Sequence, residues 1–172
     1  MATNIEVKAL ARDFEEQGKL AEGLSDTPCQ VIPQVDTFFN VPSGRFKLRD
    51  LGNGHGQLVF YTRPDASGPK RSDYFICETG QPDILADVLA KALGVRGVVK
   101  KTRRLYLVGQ TRIHMDEVEG LGEFIELEVV MREGQNDADG LAIAENLMQK
   151  LGIHEEDLIE GAYMDMMDSL SL

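Results

Sequence analysis

The sequence predicts an α+β fold, a meandering antiparallel sheet, open or closed into a barrel, with its helices set to one side. Three observations carry that expectation. About eight segments either alternate apolar and polar residues with a period of two or are rich in β-branched and aromatic residues. Neighbouring strand segments follow one another through short polar turns, which suits antiparallel pairing. Only three or four segments show helical spacing, and their order is wrong for a βαβ architecture.

In chain order, "NIEVKALA" alternates as a first strand, and "RDFEEQGKLAEGL" carries Phe14, Leu20 and Leu24 in a charge-rich helical segment that Gly23 or Ser25 closes. "PCQVIPQVDTFFNV" reads as a strand whose Pro33 predicts an edge or a bend, because proline has no N–H for the ladder. "GRFKLRDL" and "GQLVFYTRP" flank "GNGHG", a hairpin signal, and "RSDYFICET" is a further strand. "PDILADVLAKALG" is the clearest helix, with Pro82 near its start and Gly94 at its end. Strand-like "VRGVVKKTRRLYLVG", "QTRIHMDEVEG" and "GEFIELEVVM" follow, then a helix in "DADGLAIAENLMQKLG" and a tail of one or two short helices. No internal repeat or low-complexity linker interrupts the chain, so a single domain over residues 1–172 is expected.

Composition narrows the function. With 172 residues and 42% hydrophobic content the chain can bury a real core. A formal net charge of -11 argues against general nucleic-acid binding, which needs a basic stripe to neutralise phosphates. No apolar run is long enough to span a membrane, and the first residues lack the basic and apolar regions of a signal peptide. Cys29 and Cys77 are far apart and form no zinc or disulfide motif. A cytoplasmic protein without nucleic-acid or membrane partners fits best.

Strand parity then locates the charges. In "GRFKLR" a period of two places Arg45, Lys47 and Arg49 on one face and Phe46 and Leu48 on the other. Glu6 and Lys8 share a face, as do Arg112, His114 and Asp116, and as do Glu126 and Glu128. The opposite faces carry Ile5 and Val7, Leu58 and Phe60, Ile113 and Met115, and Ile125, Leu127 and Val129. For any one strand the plain interpretation is a polar face in water. Taken together, a strand of cations and a strand of paired carboxylates fit that poorly: two like charges ~7 Å apart at an effective dielectric of ~20 repel by roughly 2 kcal/mol before screening. Cations around a cluster of carboxylates describe a site for a polyphosphate and its divalent metal.

The ordered pieces "NIEVK", "QVDTFF", "GRFKLR", "YTRPD", "KTRRLY" and "IHMDEVEGLGEFIELEV" resemble the signatures of the CYTH superfamily, the triphosphate tunnel metalloenzymes, with most likeness to the class IV adenylate cyclases. The resemblance implies an eight-stranded antiparallel tunnel that holds a triphosphate on its cations and Mg2+ or Mn2+ on its carboxylates. It implies Lys8, Arg45, Lys47, Arg49, Arg63, Lys101, Arg103 and Arg112 as substrate-binding residues, and Glu6, Asp116, Glu126 and Glu128 as metal ligands. Lys8 and Glu128 are the implied catalytic residues. The implied reaction is conversion of ATP to cyclic AMP and pyrophosphate; hydrolysis of inorganic, thiamine or nucleotide triphosphates and silent binding of polyphosphate are the alternatives. It also allows a homodimer. One position departs from the pattern: Asn4 stands where the first acid is expected, either as a neutral ligand or as a simple strand-start residue.

Other features read more plainly. His114 reads first as a structural hydrogen-bonding residue and second as a group titrating near a phosphate. "GNGHG" lacks the Lys-Ser or Lys-Thr of a P-loop and reads as a turn, and the methionines of "YMDMMDSL" read as a packing stripe.

Overall fold

The computed structural model describes residues 1–170. Alternation produces eight strands: β1 (Ala2–Leu10), β2 (Gln30–Phe39), β3 (Arg45–Gly52), β4 (His55–Thr62), β5 (Lys70–Thr79), β6 (Val95–Val108), β7 (Thr111–Val118) and β8 (Gly122–Val130). Every pairing is antiparallel, and the order β1-β5-β4-β3-β2-β6-β7-β8 closes on itself through a β1–β8 ladder. The expected barrel is therefore the closed alternative. Asn53 and Gly54, with φ of 55° and 74°, make the tight turn between β3 and β4, which an Asn-Gly pair adopts at low cost. Pro33 lies opposite Thr102 of β6 and has no β3 partner, since β3 begins pairing at Val35, so the proline sits where β2 is paired on one side only.

The helices are α1 (Phe14–Leu24), α2 (Pro82–Leu93), α3 (Asp137–Lys150) and α4 (Tyr163–Leu170), with one 3-10 turn at Glu155–Asp157. Asp13 caps α1 through Glu16 N–H, and Asn136 and Asp139 form a reciprocal capping box on α3. Pro82 begins α2 and Gly94 caps its end.

Because the charged faces point inward, the main hydrophobic core lies outside the barrel. Ile5, Val7, Ile113, Met115, Ile125 and Leu127 pack under Phe14 and Ala21 of α1 and Ala144 and Leu147 of α3. A second cluster seals one mouth: Phe38, Val99, Val118 and Phe124 turn inward at that end and meet Tyr163 and Met164 of α4. Gly97 permits this seating, since a Cβ there would lie 2.5 Å from the Met164 side chain. Arg45 and Arg96 tie α4 to the rim through Asp165 at 2.7 and 2.8 Å. Among the described residues no helix is long and apolar enough to cross a membrane.

Candidate active site

Each strand contributes a short inward series that starts at the α4 plug and ends at the open mouth. Along β2 the series is Phe38, Asp36, Gln34, Ile32; along β3 it is Lys47, Arg49, Leu51; along β6 it is Val99, Lys101, Arg103, Leu105. The lumen, about 310 Å³, is thus layered, with an apolar plug, charged middle layers and an apolar collar.

Cations dominate the wall formed by β2, β3 and β6. Lys47 and Lys101 reach Asp36 at 3.0 and 2.9 Å, and Arg49 grips it with two bonds of 2.8 and 2.9 Å. Asp36 is only 1% exposed. Burial alone would raise its pKa, but Arg49, Lys101 and Lys47 hold the carboxyl well below the usual range. The lysines respond in the opposite sense. Burial, against the pull of Asp36, drives Lys101 down to about 7, and burial with Arg49 beside it drives Lys47 down to about 8.

Carboxylates dominate the wall formed by β1, β7 and β8. The β1–β8 register sets Glu6 opposite Glu128 and Lys8 opposite Glu126. Burial, then the charges of Glu128 and Glu126, push Glu6 up to about 7 although Arg63 donates to it at 3.0 Å. Arg112 donates to Glu128 at 2.8 Å and, with Arg103, holds it low against burial. Lys8 lies 3.8 Å above the Tyr163 ring, a cation-π contact at the plug.

The donors suit a divalent cation. One ligand atom each from His114, Glu126 and Glu128 lies within 4.8 Å of the others, a span that small side-chain shifts close onto one ion. Buried His114 Nδ1 and Asn4 Oδ1 have no hydrogen-bond partner among the described residues. Burial and Arg103 depress His114 to about 4, so the imidazole is neutral and able to ligate.

Most expected site residues share this lumen: Glu6, Lys8, Lys47, Arg49, Arg63, Lys101, Arg103, Arg112, Glu126 and Glu128 all line it. Two behave otherwise. Asp116 commits both oxygens to Arg103, at 2.8 and 2.7 Å, and accepts from the Tyr163 hydroxyl at 2.9 Å, while the same Arg103 lies 3.5 Å from Glu126. Arg45 sits at the rim, bonded to Asp65 and Asp165. Sequence reasoning missed Asp36 and Tyr163 as site residues. Asp36 was within reach, since its parity in "QVDTFF" puts one acid on the face of Gln34 and Phe38. Tyr163 carried no signal, because it arrives from a helix more than thirty residues beyond the last strand.

Comparison with solved structures gives the same architecture. A protein from Pyrococcus horikoshii OT3 matches with a TM-score of 0.84 at 25% identity, over 94% of this chain and 98% of that one. A candidate adenylate cyclase from Vibrio parahaemolyticus matches at 0.79 and 17% identity, over 96% and 97% of the two chains. A candidate adenylyl cyclase from Hippeastrum, described as having a dominant triphosphatase activity, matches at 0.69 and 16% identity, over 100% and 97%. Among curated proteins no sequence match is found. The model of the CYTH domain matches residues 2–163, and with the closed tunnel and its two charged walls this places the chain in the CYTH family.

Proposed function

We propose that the tunnel is the active site of a metal-dependent enzyme acting on an organic triphosphate, and that its reaction is the one catalysed by class IV adenylate cyclases, ATP to cyclic AMP and pyrophosphate. The observation that carries this reading is the division of one lumen into a cationic wall, with Lys47, Arg49 and Lys101, and an acidic wall, with Glu6, Glu126 and Glu128. A phosphate chain neutralises the first and a divalent ion the second, so a metal-triphosphate complex satisfies both at once.

Glu126 and Glu128, with His114 beside them, would hold Mg2+ or Mn2+. The ion, when bound, supplies positive charge to phosphoryl oxygens as electrons move onto the leaving group. Lys47, Arg49 and Lys101 orient the phosphates along the opposite wall. Arg63 anchors Glu6 and keeps Nε and Nη2, both buried and unpartnered among the described residues, for a phosphoryl oxygen. Lys8, buried beside Glu126 and the Tyr163 ring, balances charge between the acids and the substrate. The plug excludes water from one end.

The collar supports an organic group in preference to bare polyphosphate. Ile32, Leu51, Ile76 and Leu105 line the open mouth, and nearby Gln34 has a buried Oε1 that accepts no bond among the described residues. An apolar ring with one free acceptor suits a planar base carrying an amino group. In the cyclase reaction the ribose 3′ hydroxyl loses its proton to solvent as its oxygen attacks the α-phosphorus, the bond from that phosphorus to the oxygen bridging it to the β-phosphate breaks, and pyrophosphate departs. Hydrolysis by water is the second reading, favoured by the triphosphatase activity described for the Hippeastrum neighbour.

Product identification separates the two. Protein is incubated with Mg2+ or Mn2+ and, in separate reactions, ATP, tripolyphosphate and thiamine triphosphate. The proposal expects cyclic AMP and pyrophosphate from ATP and no orthophosphate from tripolyphosphate. Orthophosphate without cyclic AMP selects the second reading, and tight binding with no product under either metal rejects an enzymatic role.

A further inference from the structure

We propose that Asp36 is the resident counter-ion of the phosphate-binding wall, a positioning residue that keeps Lys47, Arg49 and Lys101 charged and gathered at one point of the lumen while no ligand is bound. This rests on the triphosphate reading above.

The geometry is specific. Three cations from two strands converge on one buried carboxylate, whose Oδ1 accepts from Arg49 Nε and whose Oδ2 accepts from Arg49 Nη2, Lys47 and Lys101. Strand register produces the convergence: Asp36 is paired across the ladder with Arg49 on β3 and with Val99 on β6, and Lys47 and Lys101 flank those partners on the same face. Three cations and one anion leave a net positive cluster, so the wall still attracts phosphate.

The surroundings explain why such an anion is needed. Arg103 of β6 adds a further positive charge, and the Phe38, Tyr61 and Tyr163 rings close the space around the lysines from β2, β4 and α4. The other nearby carboxylates, Asp116 on the neighbouring β7 and Glu128 on β8, are engaged by Arg103 and Arg112. Among the groups acting on Lys101, Asp36 exerts the largest pull toward its charged form, and Asp116 adds to it. Without Asp36 the buried lysines shed their protons at still lower pH, and a neutral amine neither attracts nor orients a phosphate.

The test is titration calorimetry with sodium tripolyphosphate in the presence of a chelator, from about pH 6 to about pH 9, on the wild type, Asp36→Asn and Asp36→Glu. The readout is the pH at which affinity has fallen tenfold from its acidic plateau. In Asp36→Asn this point should move down by about one unit, which is about tenfold weaker binding at a fixed pH above it. In Asp36→Glu, which keeps the charge, the point should stay at the wild-type value. A purely structural role would weaken binding equally at every pH. If Asp36→Asn does not fold by circular dichroism, it is compared in a Lys101→Met background, where a cation leaves with the anion and Lys47 reports the same downward shift. Coincident points for the Asn variant and its parent overturn the proposal for Asp36 alone. A wild type that binds no tripolyphosphate at any pH overturns the triphosphate reading and this inference with it.

Discussion

The two walls of the lumen handle excess charge differently. The cationic wall carries its own anion: Asp36 is buried among Lys47, Arg49 and Lys101, and the cluster is ordered before any ligand arrives. On the acidic wall Glu6, Glu126 and Glu128 crowd together, and their pairing with Arg63, Lys8 and Arg112 leaves Glu6 raised to about 7. One side is therefore ordered around an internal ion, while on the other Glu6 binds a proton more readily than an ordinary carboxylate, and a divalent cation there would compete with it. On the proposed reading the difference assigns the metal to the acidic wall and the phosphates to the cationic wall, and makes metal binding sensitive to pH through Glu6.

The largest effect expected comes from the acidic wall. Glu128→Gln removes a charge that faces the metal, and turnover should fall by about 10²–10³-fold with the fold intact by circular dichroism. A mutant with normal rate and unchanged Mg2+ or Mn2+ dependence would return Glu126 and Glu128 to a purely structural role. Next in size is the proton linkage at Glu6. A metal competes with its proton, so Mn2+ affinity measured by calorimetry should rise by up to about tenfold per unit from pH 5 to pH 7 and then level off. The metal-free melting temperature should change much less in this range. Glu6, with its raised pKa, binds more protons folded than unfolded between about 4.5 and 7, so its contribution falls as pH rises. His114, depressed to about 4, binds fewer protons folded than unfolded up to its ordinary value, so its contribution rises over nearly the same window and offsets Glu6.

On the cationic wall a single truncation should cost less, because Asp36 still gathers the remaining partners. Lys47→Ala or Arg49→Ala should weaken tripolyphosphate binding by about 1.5 to 3 kcal/mol, the range for a lost charge-assisted hydrogen bond. Equal binding by mutant and wild type at fixed salt would remove these residues from the site. The smallest effect is at the plug. Tyr163→Phe deletes a buried bond to Asp116 that Arg103 also satisfies, so about 1 kcal/mol and a melting shift of about 2–4 °C are expected.

Much of this architecture was legible in the sequence because alternation reports the face of each side chain. Lys47 and Arg49 opposite Phe46 and Leu48, and Glu126 and Glu128 opposite Ile125 and Leu127, follow from parity alone. Pro33 at a one-sided stretch of β2 and the Asn-Gly turn were legible for the same local reason. Alternation does not report which strands are neighbours. Parity put Asp116 on the face of Arg112 and His114, and the resemblance made it a metal ligand, but only the β6–β7 register sets it opposite Arg103. For the same reason Asp36, one acid in an aromatic strand, gave no sign that β3 and β6 would flank it and converge three cations upon it. Tyr163 closes the tunnel from a helix whose docking depends on shape, through Gly97 and Met164, and no periodicity encodes that contact.

The central claim is that one lumen holds a divalent ion against its acidic wall and a phosphate chain against its cationic wall. Diffraction from crystals soaked with Mn2+ and tripolyphosphate, with data collected at the manganese absorption edge, tests it directly. The account predicts an anomalous peak beside Glu126 and Glu128 and phosphate density between that peak and Lys47, Arg49 and Lys101. Manganese and tripolyphosphate found only on the outer surface, with the lumen holding neither, would contradict it.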